Sequence, residues 1–110
     1  MEWLRPWQSI DEYGRESAAT FESVLTGEVS PRHPLYGIPI EAIGKHIACD
    51  DVLFHLLDGS DRVAVVHLTW TRSPPERPPY PITRIFSGLE AWAEQRMRRD
   101  NEEHSHTSDD

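Results

Sequence analysis

Residues 50–70 read DDVLFHLLDGSDRVAVVHLTW. Two apolar runs flank Asp58-Gly59-Ser60-Asp61, a cluster of turn-forming residues, and this arrangement predicts a β-hairpin. The second run, from Arg62 to Trp70, has no polar alternation. Neither face of such a strand can meet water without exposing valine or leucine, so the hairpin is expected to be buried on both sides and to form the centre of the domain.

Working outward, strand-like content covers Ile38 to Ala48, Val52 to Leu57, Arg62 to Trp70 and a short edge segment, Ile82 to Phe86. Asp50-Asp51 and Asp58 to Asp61 supply the turns. Ser73 to Pro81 contains five prolines and is expected to form a stiff, proline-rich loop. Upstream, Ser9 and Glu12 make a capping-box pattern, and Ile10, Tyr13, Ser17, Phe21, Val24 and Leu25 recur at helical spacing, predicting a helix from about Ile10 to Thr26. Gly14 within it costs about 1 kcal/mol relative to alanine. Gly27 is expected to close the helix in a left-handed conformation, and Trp3 and Trp7 to pack back onto helix or sheet. Downstream, Ser87 and Glu90 form a second capping box, opening a helix with Leu89, Trp92, Ala93 and Met97 on one face. The expected class is α+β: an N-terminal helix, a three- to four-stranded antiparallel meander, the proline-rich loop and a C-terminal helix. One domain is expected over residues 1–99, followed by a disordered acidic tail over 100–110.

Tight turns set a register. With Asp50 and Asp51 as the first loop, Cys49 faces Val52, Ile47 faces Phe54 and His46 faces His55. With Gly59 and Ser60 central in the second, His55 faces Ala64 and Val52 faces His67. One face then carries Ile43, Ile47, Val52, Phe54, Leu56, Val63, Val65 and His67 and is expected to receive the helices. The other carries His46, Leu53, His55, Leu57, Ala64, Val66, Leu68 and Trp70 and reads as a partly covered or partner-facing surface.

The chain has 110 residues and a net charge of -8, a size that fits one modest core. The charge is uneven. Asp100, Glu102, Glu103, Asp109 and Asp110 lie in the last eleven residues with no Lys or Arg, whereas residues 1–99 hold fourteen acids against eleven bases. With no basic stripe, nucleic acid is not an expected partner. No window approaches the roughly 20 apolar residues of a membrane span, the opening residues lack a signal-peptide core, and the lone Cys49 forms no internal disulfide. A cytoplasmic protein is expected. Ten of the eleven bases are Arg, a bias that fits a GC-rich bacterial genome.

Three sheet histidines invite a zinc reading. The expected register opposes it by placing His46 and His55 on one face and His67 on the other, so no metal and no cofactor are assigned. Cys49 beside Asp50 and Asp51 sits where a thiolate is disfavoured, and no catalytic residue is assigned. The expected binding residues are Trp70, Arg72, Tyr80 and Arg84, side chains of the type that anchor interfaces, arranged around a stiff loop. They point to a non-enzymatic protein-binding module, immunity-like or self-associating, with a protein partner or a second copy bound. The alternative is a small enzyme or ligand-binding domain whose pocket lies between the first helix and the sheet and uses His67, a titratable group in an apolar strand.

The stretch from Asp50-Asp51-Val-Leu-Phe54 through Asp58-Gly59 and Val63-Ala-Val-Val-His-Leu-Thr-Trp70, then Ser87 to Trp92, resembles a group of small uncharacterised bacterial proteins. Val66-His67-Leu68-Thr69-Trp70 is its specific part. The resemblance implies a bacterial origin and transfers no activity or residue role.

Overall fold

The computed structural model describes the backbone of residues 2–70 and 81–108, with side chains described as far as His104. Its centre is a five-stranded antiparallel meander: β1 (Trp7–Ser9), β2 (Ile40–His46), β3 (Asp51–Leu56), β4 (Val63–His67) and β5 (Thr83–Phe86), side by side in chain order. Helix α1 (Arg15–Glu28) covers one face. A continuous helical run covers the other, made of α2 (Leu89–Trp92), a π-helical stretch (Ala93–Met97) and α3 (Arg98–Ser108).

Both faces of β4 are buried, as its composition demands. Ala64, Val66 and Leu68 join Phe21, Leu25 and Val29 in the core under α1, while Val63 and Val65 join Trp7, Leu53, Phe86, Trp92 and Met97 in the core under the C-terminal run. Each such valine contributes about 1.5–3 kcal/mol of burial. The expectation that one face would stay partly open is therefore corrected. So is the strand count: β1 makes a fifth strand, and α1 follows a strand instead of leading the chain.

The helix starts also differ from expectation. Ser9 caps only a short 3-10 turn, Ile10–Glu12, its Oγ accepting from Asp11 N. Gly14 then takes φ 90°, which interrupts the periodicity that runs through it, and the α-helix begins at Arg15. Gly27 stays helical, and the chain leaves α1 through Val29 in an extended conformation. Ser87 is not the second cap; Gly88 precedes α2 with no side-chain hydrogen bond.

Register is where the sequence reading slips. Leu56 N donates to Arg62 O at 3.0 Å, leaving a loop of odd length, residues 57–61. Gly59 and Asp61 adopt φ 86° and 59°, and Asp58 is held at a pKa of about 2 by Ser60 and Arg62. This loop pairs His55 with Val63 and Asp51 with His67, one residue from the expected pairing, and an odd slip exchanges the faces of β4 relative to β3. The β2–β3 connection is longer than a two-residue turn, so Lys45, not Cys49, pairs with Val52.

A bulge interrupts the register between Ala42 and Gly44, and beside it Glu22 Oε2 of α1 accepts the Ala42 N–H at 2.9 Å. Gly44 itself lies under the Trp3 ring, which approaches within 2.6 Å of where a Cβ would sit. Gly44→Ala is expected to lower stability by about 1–3 kcal/mol through overpacking. In a denaturant-unfolding double-mutant cycle the cost should shrink once Trp3→Ala removes the ring. Equal cost in both backgrounds would show that the ring is not the constraint.

Candidate functional site

The chemistry-bearing side chains gather at the end of the sheet where β2 and β4 finish and β3 and β5 begin. On the face under the C-terminal run, Trp7 pairs with His46 across β1–β2, and Asp51 pairs with His67 across β3–β4. Asp51 divides its carboxylate. His67 Nδ1 lies 2.8 Å from Oδ1, and the Arg96 guanidinium donates to Oδ2 at 2.7 Å. Arg96 Nε donates in turn to Asp100 Oδ2 at 2.6 Å, and Trp7 Nε1 donates to the same oxygen at 2.8 Å. The guanidinium also stacks 5.4 Å from the Trp7 ring. Arg96 lies in the π-helical stretch, the kind of local widening that re-aims a helical side chain.

Burial alone would raise the Asp51 pKa, yet the hydrogen bonds from Arg96 and His67 leave it below its ordinary value. Burial works against the Arg96 charge too and is outweighed by Asp51 and Asp100, so its pKa rises. His46 packs edge-on against Trp7, and its Nδ1 accepts from Ala48 N at 3.0 Å. Burial lowers its pKa. Burial raises that of Cys49.

On the α1 face, the fully buried Glu28 at the end of α1 accepts from Thr69 N at 3.1 Å and Trp70 N at 2.6 Å. Trp70 has φ 61°, a left-handed conformation that is an outlier for a bulky side chain. Its indole packs against Phe21 at 6.2 Å and remains 44% exposed. At the start of β5, buried His33 accepts from Leu35 N at Nδ1, so Nε2 carries the proton and donates to Pro81 O at 3.0 Å. Thr83 Oγ1 donates to that same carbonyl.

The expected binding cluster is only partly in view. Arg72, Tyr80 and most of the proline-rich segment lie outside the described residues. Trp70 and Arg84 are not brought together: Trp70 packs on α1, whereas Arg84 stacks 4.7 Å over Phe86 and donates to Gln95 of the C-terminal run at 3.1 Å. The His67 pocket is corrected outright. His67 shares the face of Val63 and Val65 and so points away from α1, half-exposed and bonded to Asp51. A groove of about 710 Å³ lies between α1 and residues 35–40, and another of about 470 Å³ lies beside Gly14 and Ile43. Neither is lined by His67. The histidine geometry also changes, since His46 meets Trp7 while His55 sits between Glu41 and Asp61. Among the described residues no group of three or more His, Cys, Asp or Glu could hold a metal ion, and no helix is long and apolar enough to cross a membrane.

Sequence reasoning missed Asp51, Arg96, Asp100, Glu28 and His33. Asp51 reads as a turn residue, and Asp100 reads as the start of a disordered acidic tail. The expected domain end at residue 99 is corrected by Asp100, only 8% exposed, and by Asn101, which donates to Arg5 O at 2.7 Å. The helix runs on through Ser108. Compared with protein-family models, curated proteins and solved structures, the chain matches none of them.

Asp100→Ala leaves Arg96 and Trp7 Nε1 short of an acceptor and is expected to cost about 2–3 kcal/mol, read by chemical denaturation. Acid should act in two stages. The lowered folded pKa of His46 means the unfolded chain takes its proton first, so this contribution is full above the ordinary value of 6.5 and is lost as pH falls through it. Asp51, also lowered, contributes above 3.8 and is lost as pH falls through its folded value. His46→Gln should remove the upper stage from a plot of melting temperature against pH. An unchanged profile would assign that stage to another group.

Proposed function

We propose that this chain is a protein-binding module whose anchor is Trp70. The observation that supports the reading is the cost of holding that residue where it is. A left-handed backbone at a bulky residue costs about 1–3 kcal/mol, and the fold meets that cost with a buried carboxylate, Glu28, that fixes two successive backbone N–H groups. The outcome is a rigid indole with nearly half its surface in water. A pre-set aromatic side chain loses little entropy on docking, and tryptophan is the residue type most enriched at binding hot spots. Ile47 and Ile82, at 38% and 49% exposure, lie at the same end of the sheet. Ile82 is fixed there because its carbonyl accepts from His67 N at 3.0 Å. Arg72 and Tyr80 of the proline-rich segment extend the same reading. We take the partner to be another protein, of the toxin kind that an immunity-like chain occupies, met in the bacterial cytoplasm.

Leu57, 48% exposed at the opposite end of the sheet, provides an internal control. A photo-crosslinking amino acid at position 82 should give protein adducts in the producing cells, the same group at position 57 should not, and Trp70→Ala should cut the position-82 yield at least tenfold. Trp70→Gly should change stability by no more than about 1 kcal/mol, because relief of backbone strain offsets lost packing. Equal adducts at positions 57 and 82, or a large loss of stability in Trp70→Gly, would assign Trp70 a structural role instead.

A further inference from the structure

The groove between α1 and residues 35–40 has no part in the Trp70 reading, and we infer that it binds a small apolar amine, an alkyl or arylalkyl body with one ammonium head. Its space of about 710 Å³ falls within the roughly 300–1,000 Å³ of small-molecule sites, which are mostly apolar with a few placed polar groups. Leu25, Val29 and Leu35 form its base and belong to the core under α1, while Ile38 and Ile40, half-buried, stand along its side. The Pro39 carbonyl accepts from Leu57 N at 2.8 Å. This bond ties that side of the groove to the end of the sheet where β3 finishes, whereas Trp70 and Pro81 lie at the other end, after β4 and before β5.

One charge selects the class of ligand. Among the described residues that line the groove, Glu22 is the only ionisable side chain, with no Lys, Arg or His beside it. Its Oε2 accepts from Ala42 N at 2.9 Å, which holds the carboxylate in place between α1 and β2. A carboxylate offers about four acceptor positions, so that bond leaves capacity for a ligand. Apolar walls concentrate the field of such a charge. An ammonium group answers both the charge and the acceptors, a carboxylate ligand is repelled, and a neutral head gains nothing from the charge.

Gly27 is a second, independent observation. It stands inside α1 without a positive φ, and a Cβ built on it would meet nothing within 4 Å. Neither backbone nor packing requires glycine there, although glycine is among the poorest helix formers. The missing side chain leaves clearance along the groove that Gly27 lines.

An NMR titration with hexylamine, hexanol and hexanoate, matched in length and different in head group, tests the assignment. Hexylamine should bind saturably in the millimolar range, shift backbone amide signals within residues 22–42, and bind at least tenfold more tightly than the other two. Glu22→Gln keeps an oxygen for the Ala42 N–H and should bring hexylamine down to the affinity of hexanol. Gly27→Leu should block binding, with Thr26→Phe as a second block, and a thermal melt of each variant confirms folding. Trp70→Ala should change none of these results, which separates the groove from the Trp70 anchor. Nα-acetyl-lysine amide, the same head on a peptide unit, should bind at least tenfold more weakly than hexylamine; equal affinity would assign the groove to a lysine of a protein partner and overturn the small-molecule reading. Equal affinity for the three matched probes, signal changes scattered over the surface, or undiminished hexylamine binding in both blocked variants would overturn the proposal.

Discussion

The carboxylate of Asp51 is the point on which the two sides of the domain depend. It begins β3, so its position is fixed by the sheet, and its two oxygens reach in different directions, to His67 on the next strand and to Arg96 on the covering helix. Through Arg96 the same network takes in Asp100 and Trp7, joining the first strand, the third strand and the C-terminal run. Apolar contact alone would let a helix slide over the valines and leucines beneath it. A charged network with short, directional bonds removes that freedom, because any shift leaves a half-buried charge without its partner.

That network also explains which parts of the fold could be read from the sequence. The burial of β4, the two large helical elements, and the packing of Trp92 and Met97 follow from apolar composition and spacing, which act locally. The register did not follow, because it turned on the parity of one loop: Asp58-Gly59-Ser60-Asp61 looks like a two-residue turn, yet the left-handed Asp61 extends it. One residue of slip moved His67 to the opposite face from α1. The role of Asp100 was hidden for a different reason. Beside Glu102 and Glu103 it belongs to an acidic, hydrophilic stretch, and only the distant Trp7 and Asn101's reach to Arg5 show that the helix is docked.

Glu28 plays for α1 the part that Asp51 plays for the other helix. A buried carboxylate must find donors, and Glu28 finds them in the backbone just past β4, where the strand has ended and the N–H groups of Thr69 and Trp70 are available. The helix end and the strand end are thereby locked together, and Trp70 is turned outward as a result. Nothing in the local sequence Leu68-Thr69-Trp70 announces this conformation; it is imposed by a residue some forty positions upstream. This leaves the fold with a buried frame and an outward-facing indole at the end of β4.

Amide hydrogen exchange on Arg96→Met tests the account most directly, since the substitution keeps an apolar stem and helix propensity while removing the guanidinium. If the network docks the helix, protection should fall across residues 93–104 while the amides of β3 and β4 keep theirs. Protection of the helix equal to that of the unmodified chain would show that apolar packing alone holds it, and the central role given to Asp51 and Arg96 would be wrong.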